Sequence, residues 1–250
     1  MTMEIGTIIH RVRSCRSTND LAEQLALAGE LEGTVIIAEE QTKGRGTKGR
    51  SWYSVLGKGL YLSVILRPEG PNISLLPLVA GLAVREAVTS VTGLDVHLKW
   101  PNDLIWEKKK LGGILCESNF LGDRVNYVIV GIGLNLDHEP DDFPVEIRSF
   151  VSSLKIMTKR SVDRDLLFPC LWRSLNYWYG LFREGKNDEI VRAFEESMAV
   201  AKGKKMTVLR GESQISGLFA GIDSRGGLIL EVGSERISFY SGEILTIEYG

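Results

Sequence analysis

The sequence contains little cysteine and little histidine, and neither residue is clustered. Its three cysteines, Cys15, Cys116 and Cys170, are odd in number and far apart, so no disulfide framework is predicted. Such cysteine usage is typical of a reducing compartment, and we expect a cytoplasmic protein. The three histidines are equally scattered and no paired cysteines accompany them, which argues against a structural zinc site.

An excess of charge of one sign is also lacking, as are long apolar runs. The 250 residues carry 30 Lys+Arg and 32 Asp+Glu, a net charge of −2. General nucleic-acid binding usually shows a basic excess or a basic face, so no DNA partner is expected. No uninterrupted apolar run approaches the ~20 residues of a membrane helix, and no N-terminal segment has a signal-peptide layout. We therefore expect no membrane partner either.

What the sequence does contain is a loop rich in glycine and in cations. Residues 41–52 read QTKGRGTKGRSW, without an acidic residue, and the glycines and cations are Gly44, Gly46, Gly49, Lys43, Arg45, Lys48 and Arg50. Glycine lets the backbone come close to a ligand, and free N–H groups with Arg and Lys side chains suit a phosphate. A solvated basic turn is the alternative. Glycines interleaved with cations directly after a predicted strand favour a loop that closes over a phosphorylated ligand.

Two familiar phosphate-binding motifs do not explain this loop. Its glycines have the spacing of the dinucleotide fingerprint, and residues 44–51 come within one residue of a Walker A pattern. Both motifs require a helix to begin at the loop. Gly57 and Gly59 break any helix, however, and residues 59–67 read as a strand. The loop is therefore interpreted as a cationic cover between two strands.

A mixed pattern of strands and helices surrounds the loop. Strands are predicted at residues 7–13, 34–39, 59–67, 94–100, 104–106, 111–117 and 127–136, and helices at 18–29, 74–91, 163–184 and 188–199. Pro169 is expected to kink or delay its helix. Beyond residues 202–205, short strands every 8–12 residues, separated by Gly, Asp and Ser turns, predict a small β-barrel.

Polar residues stand where predicted strands end or meet helices. Ser17, Thr18 and Asn19 suit a helix cap, a role compatible with hydrogen bonds to a ligand. Asn102 and Asp103 follow a proline at a tight turn. We expect both groups to be candidates for a ligand site.

Two glycine-containing strands carry further candidates. Lys110 abuts the strand LGGIL, where Gly113 suggests a close approach by backbone or ligand. The strand YVIVGIGLNL contains Gly131 and Gly133 and ends at Asn135. A packed glycine strand is the alternative, and it suits Gly131 best.

Four segments follow one another along the chain: QTKGRGTKGRSW, KWPNDL, KKKLGGILCE and VGIGLNL. In this order and spacing they closely resemble the biotin–protein ligases, and the resemblance covers nearly the whole chain. The resemblance implies an α+β fold. Residues 1–200 would form a catalytic domain with a mixed sheet and packed helices, of the class II aminoacyl-tRNA synthetase-like type. Residues 203–250 would form an SH3-like barrel. The implied activity uses ATP and Mg²⁺ to make biotinyl-5′-AMP, then transfers biotin to one lysine of a biotin carboxyl carrier protein or domain.

The resemblance also implies roles for individual residues. Arg45 and Lys110 would offset the repulsion between the biotin carboxylate and the α-phosphate. Asp103 would either ligate Mg²⁺ or orient the acceptor lysine, and the sequence does not separate these roles. Residues matched to biotin contacts are Ser17, Thr18, Asn19, Gln41, Gly44, Arg45, Gly46, Thr47, Lys110, Gly113 and Gly133. Residues matched to ATP or adenylate contacts are Arg45, Lys48, Arg50, Trp52, Asn102 and Asn135.

Two departures from the family pattern carry expectations of their own. Many members have arginine two places after Arg45, where this sequence has Thr47, so we expect looser retention of the adenylate. Some members also have an N-terminal helix-turn-helix and repress transcription. Here the catalytic resemblance begins within the first twenty residues, so the monofunctional type is expected.

Alternatives to this interpretation come from three classes of protein. A lipoate–protein ligase or octanoyl transferase shares the fold and the carrier-lysine chemistry. A non-catalytic biotin or nucleotide sensor would keep the pocket, although Lys110 and Asp103 argue against it. A nucleic-acid adaptor using the barrel has only fold analogy behind it. Strand edges near residues 112–117 and 125–130 suggest a homodimer, since an exposed edge invites pairing.

Overall fold

The structure is a computed structural model that describes residues 3–70 and 72–247. The last three residues of the predicted barrel, 248–250, lie outside the described residues, as do residues 1–2 of the predicted catalytic domain. The strands are β1 (Ile9–Cys15), β2 (Val35–Gln41), β3 (Gly59–Leu66), β4 (His97–Lys99), β5 (Asp103–Trp106), β6 (Lys109–Leu121), β7 (Arg124–Asn135), β8 (Lys205–Arg210), β9 (Ser213–Ile222), β10 (Leu228–Val232), β11 (Glu235–Phe239) and β12 (Glu243–Ile247). The helices are α1 (Thr18–Leu27), α2 (Leu76–Thr92), α3 (Leu154–Thr158), α4 (Arg164–Arg183) and α5 (Asn187–Glu196).

The larger sheet is mixed and has seven strands in the order β1-β2-β3-β7-β6-β5-β4. β1 pairs with β2 in parallel, and the other neighbours are antiparallel. All eight residues of β3 are buried. α1 packs on one face with Ile36, Ile65 and Ile129, while α2, α4 and α5 belong to the core on the other face. A strand covered on both faces reads as a continuous apolar run, which explains the sequence GLYLSVIL.

Helix α2 belongs to the core. Residues 73–92 are long and apolar enough to cross a membrane, judged by length and composition alone, and 61% of that window is buried inside the protein. α2 packs against α4 and against strands of the larger sheet. Its apolar composition is therefore explained by its position between sheet and helix.

The smaller sheet is antiparallel, with the order β11-β10-β9-β8-β12. Its apolar residues join the core of the larger sheet through Trp100, which is 2% exposed and donates its indole N–H to the Gly226 carbonyl at 2.9 Å. A mixed sheet with packed helices followed by an antiparallel C-terminal sheet is the predicted fold, which the structure confirms.

Two expectations about individual elements are wrong in part. Pro169 does not delay its helix, because α4 begins directly after its cap Asp163 and continues through the proline. The buried face of α4, which includes Leu167, Leu171 and Leu175, offsets the one backbone hydrogen bond that proline removes. Residues 128–130 do not form an exposed edge, since they pair with both β3 and β6, whereas residues 125–127 have β6 as their one neighbouring strand among the described residues.

The strand edge predicted near residues 112–117 is confirmed in part. Gly112 and Gly113 pair with β5 on one side and with β7 on the other. Farther along β6, residues 115–121 pair with β7 alone among the strands of the described chain. This half of β6 is therefore an edge of the sheet.

Candidate active site

A cavity lies where the N-terminus of α1, the glycine-rich loop and strands β3, β6 and β7 meet. Twelve residues predicted from the sequence line it: Ser17, Thr18, Asn19, Gln41, Arg45, Gly46, Thr47, Trp52, Asn102, Lys110, Gly113 and Gly133. Five others complete the lining: Leu62, Ile114, Leu115, Gly131 and Ile132. Five predicted site residues do not line it: Gly44, Lys48, Arg50, Asp103 and Asn135. The sequence therefore located the cavity, and the structure decides what each group does there.

The polar end of the cavity is built at the start of α1. Cys15 at the end of β1 is paired with Gln41 at the end of β2, which places the Gln41 side chain beside the helix. Gln41 Oε1 accepts the Thr18 backbone N–H at 2.8 Å. Ser17 caps α1, and its Oγ accepts the Asn19 backbone N–H at 3.3 Å. Ser17 thus caps the helix and also lines the cavity.

Two residues that sequence reasoning missed hold this end in place. Ser63 of β3 is fully buried, with Oγ 2.5 Å from Asn19 Oδ1 and 2.7 Å from Thr18 Oγ1. Glu117 of β6 accepts from Asn19 Nδ2 at 2.6 Å. A single hydroxyl inside the apolar run GLYLSVIL was the available signal for Ser63. Glu117 carried no comparable sequence signal, because an acidic residue near the end of a predicted strand is usually solvated.

Asn19 packs directly on the sheet. A Cβ atom at Gly131 would lie 2.3 Å from Asn19 Oδ1, so only glycine leaves room for this amide. The amide oxygen is taken by Ser63, and the nitrogen by Glu117 and by the Leu115 carbonyl at 3.4 Å. Asn19 therefore shapes the cavity through hydrogen bonds within the protein.

Arg45 is held between two carboxylates. One guanidinium nitrogen is hydrogen-bonded to Asp20, and the other lies 3.0 and 3.1 Å from the two carboxylate oxygens of Glu117. The hydrogen bond to Asp20, more than any other contact, raises the pKa of Arg45. The cation predicted for phosphate contact is thus paired within the protein, and an anion must compete for it.

Lys110 and Asp103 form an ion pair beside the cavity. Lys110 Nζ lies 2.5 Å from Asp103 Oδ1, and both residues are on the antiparallel pair β5 and β6. The lysine backbone is clamped as well, since its N–H donates to the Phe150 carbonyl at 2.7 Å and its carbonyl accepts from Ser152 at 2.9 Å. These two backbone hydrogen bonds fix the position from which the ammonium group reaches the cavity.

Trp52 occupies much of the cavity. A Cβ atom at Gly133 would lie 2.6 Å from the indole Cε2, and one at Gly113 would lie 3.3 Å from its Cζ3. Lys110 Nζ stands 5.6 Å from the ring centroid, over the indole. The indole N–H is buried and has no hydrogen-bond partner among the described residues. Trp52 was predicted beside the adenylate, but here it covers the two glycines that were matched to biotin.

The remaining cavity measures about 40 Å³. Pockets for cofactor-sized ligands measure roughly 300–1,000 Å³. A ligand of that size must therefore displace the Trp52 indole from Gly133 and Gly113.

Lys48, Arg50 and Asn135 face other parts of the protein. Arg50 is hydrogen-bonded to Glu243 at the start of β12, and Lys48 Nζ lies 3.5 Å from the same carboxylate. These contacts tie the glycine-rich loop to the C-terminal sheet. Asn135 is 4% exposed and donates to the Ser152 carbonyl at 3.0 Å. Their roles at a nucleotide remain predictions.

No group of three or more His, Cys, Asp or Glu side chains within residues 3–70 and 72–247 is arranged to hold a metal ion. Asp103, the residue predicted on the metal side, is one carboxylate and is paired with Lys110. Mg²⁺ is commonly bound through one or two carboxylates together with substrate phosphates. The donor set thus fits a Mg²⁺ ion that arrives with a nucleotide.

Comparison with known proteins points to one family. Residues 12–135 match the Biotin/lipoate A/B protein ligase family, and residues 203–245 match the Biotin protein ligase C terminal domain. The bifunctional ligase/repressor BirA of Bacillus subtilis is 34% identical over 245 residues, covering 95% of this chain and 73% of that protein. The biotin–[acetyl-CoA-carboxylase] ligase of Paracoccus denitrificans is 37% identical over 227 residues, covering 86% and 90%.

Solved structures agree with the sequence relatives. The biotin protein ligase from Aquifex aeolicus in complex with biotin and ATP superposes with a TM-score of 0.83 at 31% identity. The match covers 98% of this chain and 100% of that one. The similarity therefore extends over both sheets.

Proposed function

Because the chain belongs to the biotin protein ligase family, we propose that it activates biotin with ATP as biotinyl-5′-AMP and transfers the biotinyl group to one lysine of a biotin carboxyl carrier protein or domain. The observation that carries this proposal is the layout of the cavity along β6 and β7. Asn19 packs over Gly131, whereas Lys110 packs against Gly113, the partner of Gly133 in the next strand. The hydrogen-bonding groups around Asn19 thus stand at one end of the cavity and the Lys110 cation at the other, an arrangement that suits a ligand with a hydrogen-bonding head and a carboxylate tail.

In the first step, a carboxylate oxygen of biotin attacks the α-phosphorus of ATP and pyrophosphate leaves. Both reactants are anionic, so a fixed cation lowers the barrier. Lys110 is such a cation, because its backbone is clamped and its ammonium group is paired with Asp103. Arg45 adds a second positive charge once the anion draws it from Asp20 and Glu117. Mg²⁺ bound to the phosphates would neutralise part of the triphosphate charge.

In the second step, the amine of the acceptor lysine attacks the carbonyl carbon of the mixed anhydride, and AMP leaves. The attacking amine must be neutral and must lose a further proton after the bond forms. Asp103 is the carboxylate beside Lys110, so we assign it to orient that amine and receive the proton. Water must be kept from the anhydride, which gives the glycine-rich loop its purpose as a cover.

Lipoate and octanoate are the competing substrates. Neither has a hydrogen-bonding head group, so either would leave the buried polar groups of Ser17 and Thr18 and the half-buried amide of Gln41 without partners in the ligand. Leaving such groups unpaired costs roughly 1–3 kcal/mol each. The polar end of the cavity therefore favours biotin.

Pyrophosphate release separates these substrates and also separates an enzyme from a sensor. The proposal expects release with ATP, Mg²⁺ and biotin, and none with lipoate or octanoate in place of biotin. Pyrophosphate release with lipoate and not with biotin would move the assignment to lipoate ligation. Binding of biotin without pyrophosphate release would indicate a sensor.

Two further expectations complete the proposal. The free cysteines suit a cytoplasmic enzyme. A homodimer would use the edge of β6 at residues 115–121, which pairs with β7 alone among the described strands.

A further inference from the structure

We propose that Glu117 sets the hydrogen-bond polarity of the cavity's polar end and thereby selects a cyclic urea over a cyclic guanidine. Glu117 acts through Asn19 and Ser63, so it is a positioning residue and does not touch the ligand. The inference rests on the proposed function, because it explains how the head group of biotin is recognised.

The first link is the orientation of the Asn19 amide. An ionised carboxylate only accepts hydrogen bonds. Glu117 Oε2 lies 2.6 Å from one end of the amide, so that end must be the nitrogen, Nδ2. The other end, Oδ1, must then face Ser63 Oγ at 2.5 Å. A neutral side chain at position 117 would weaken this constraint, leaving the longer contact of Nδ2 with the Leu115 carbonyl, 3.4 Å, to hold the nitrogen.

The second link passes through Ser63 to Thr18. A hydroxyl has one hydrogen, and Asn19 Oδ1 only accepts, so Ser63 donates to Asn19. Ser63 Oγ also lies 2.7 Å from Thr18 Oγ1, so the Thr18 hydroxyl donates to Ser63. The contact of Thr18 Oγ1 with Gln41 Oε1 is longer, 3.2 Å, and that amide oxygen already receives the Thr18 backbone N–H. Thr18 Oγ1 is left as an acceptor at the cavity.

The third link concerns the two remaining groups. Since Gln41 Oε1 faces the Thr18 backbone, Gln41 Nε2 is a donor without a hydrogen-bond partner in the described part of the chain. Ser17 Oγ accepts the Asn19 N–H, and its own hydrogen is likewise unused among those residues. The polar end therefore offers two donors, Ser17 and Gln41, and one acceptor, Thr18.

This set matches a cyclic urea. Its carbonyl oxygen accepts from Ser17 and Gln41, and one of its N–H groups donates to Thr18. A protonated cyclic guanidine carries N–H groups where the urea has its carbonyl, so donors would face donors. Sites built around specific hydrogen bonds reject analogues that cannot make them by large factors.

The test compares biotin with 2-iminobiotin, which has a guanidinium in place of the urea at pH 7 and the same carboxylate tail. Calorimetry gives the dissociation constant of each ligand for the wild type, Glu117→Gln and Ser63→Ala. We expect both variants to lose about tenfold or more of the preference for biotin, by weaker biotin binding with little change for 2-iminobiotin. Ser63→Ala interrupts the hydrogen bonds that connect Glu117 and Asn19 with Thr18, and it leaves the charge of Glu117 in place.

Glu231→Gln is the matched control. It neutralises a carboxylate of similar exposure that is paired with Arg236 in the C-terminal sheet, and it should keep the wild-type preference. If Glu117→Gln weakened the binding of both ligands equally, Glu117 would have a merely structural role, or one through Arg45 and the carboxylate tail that both ligands share. Either result would overturn the proposed action of Glu117 through Asn19, Ser63 and Thr18. A wild type that binds neither ligand would overturn the proposed function and this inference with it.

Discussion

Lys110 Nζ lies 2.5 Å from Asp103 Oδ1 across the β5–β6 pair, beside the indole of Trp52. This contact joins the cation assigned to adenylate formation with the carboxylate assigned to transfer. Each residue fixes the orientation of the other, so the two steps are coupled through one ion pair.

Replacing Lys110 with alanine should reduce the rate of pyrophosphate release by roughly 10²–10³-fold, the usual cost of removing one charge-stabilising donor from a preorganised site. Lys110→Arg should recover only part of this rate, because a planar guanidinium does not replace a compact ammonium group. Lys109→Ala, at an exposed neighbouring position, is the control. An unchanged rate in Lys110→Ala would remove this lysine from the chemistry.

Thr47 should loosen retention of the adenylate. It lines the cavity with an uncharged side chain where many family members carry arginine. We expect Thr47→Arg to slow the release of biotinyl-5′-AMP by roughly tenfold, in line with one charge-assisted hydrogen bond. The measurement is dissociation of radiolabelled adenylate chased with unlabelled biotin and ATP. Equal release from the variant and the wild type would show that position 47 does not hold the adenylate.

Biotin should displace the Trp52 indole from Gly133 and Gly113. Intrinsic fluorescence should therefore change when biotin binds, and Trp52→Phe should lose most of that change. Trp106→Phe, on the hairpin outside the cavity lining, should keep it. If the Trp52→Phe variant gives the same fluorescence change as the wild type, the indole does not move.

Glu243 should help to position the glycine-rich loop from the C-terminal sheet. Its hydrogen bond with Arg50, and then the nearby charges of Arg50 and Lys48, lower the pKa of Glu243. Partly exposed pairs contribute little, so Glu243→Gln should raise the KM for ATP only about two- to fivefold, and high salt should abolish the difference. Glu235→Gln, on β11, serves as control. A difference that persists at high salt would argue against an ionic tether.

His138 should make folding stability depend on pH. Its ring is fully buried and stacks on Phe143, and burial lowers its pKa from 6.5 to about 4. The nearby Asp142 opposes this shift and Lys58 adds to it. Between these pH values the unfolded chain binds a proton that the folded chain excludes. Stability is therefore complete above pH 6.5 and falls by roughly 2–3 kcal/mol toward pH 4.

The check is urea unfolding of the wild type and His138→Gln at pH 7 and pH 5. The variant should be less stable at pH 7, because packing is lost, but its stability should change less between the two pH values. Parallel loss of stability in both proteins would assign the pH dependence to other groups.

Local patterns revealed the parts of the molecule that depend on local sequence. The cap at Ser17, the glycine-rich loop and the glycines of β6 and β7 are each visible within a few residues, because backbone conformation and strand ends leave short signatures. Sheet order is not local, which is why residues 128–130, which are paired on both sides, were wrongly taken for an edge. Helix α4 likewise runs through Pro169 because packing outweighs one lost hydrogen bond.

The contacts that organise the site are distant in sequence. Asn19 meets Glu117 across 98 positions, and Arg50 meets Glu243 across 193. A single sequence contains no signal that pairs such residues. The position of Trp52 was also beyond prediction, since a side chain at a loop end can lie over any nearby glycine.

Calorimetric titration with biotin, with and without ATP and Mg²⁺, shows whether this protein activates biotin when pyrophosphate is measured in the same samples. We expect biotin to bind alone, and ATP with Mg²⁺ then to consume it and release one pyrophosphate per biotin. Binding of lipoate or octanoate and not of biotin would show that this protein is not a biotin ligase, and so would binding of biotin without release of pyrophosphate.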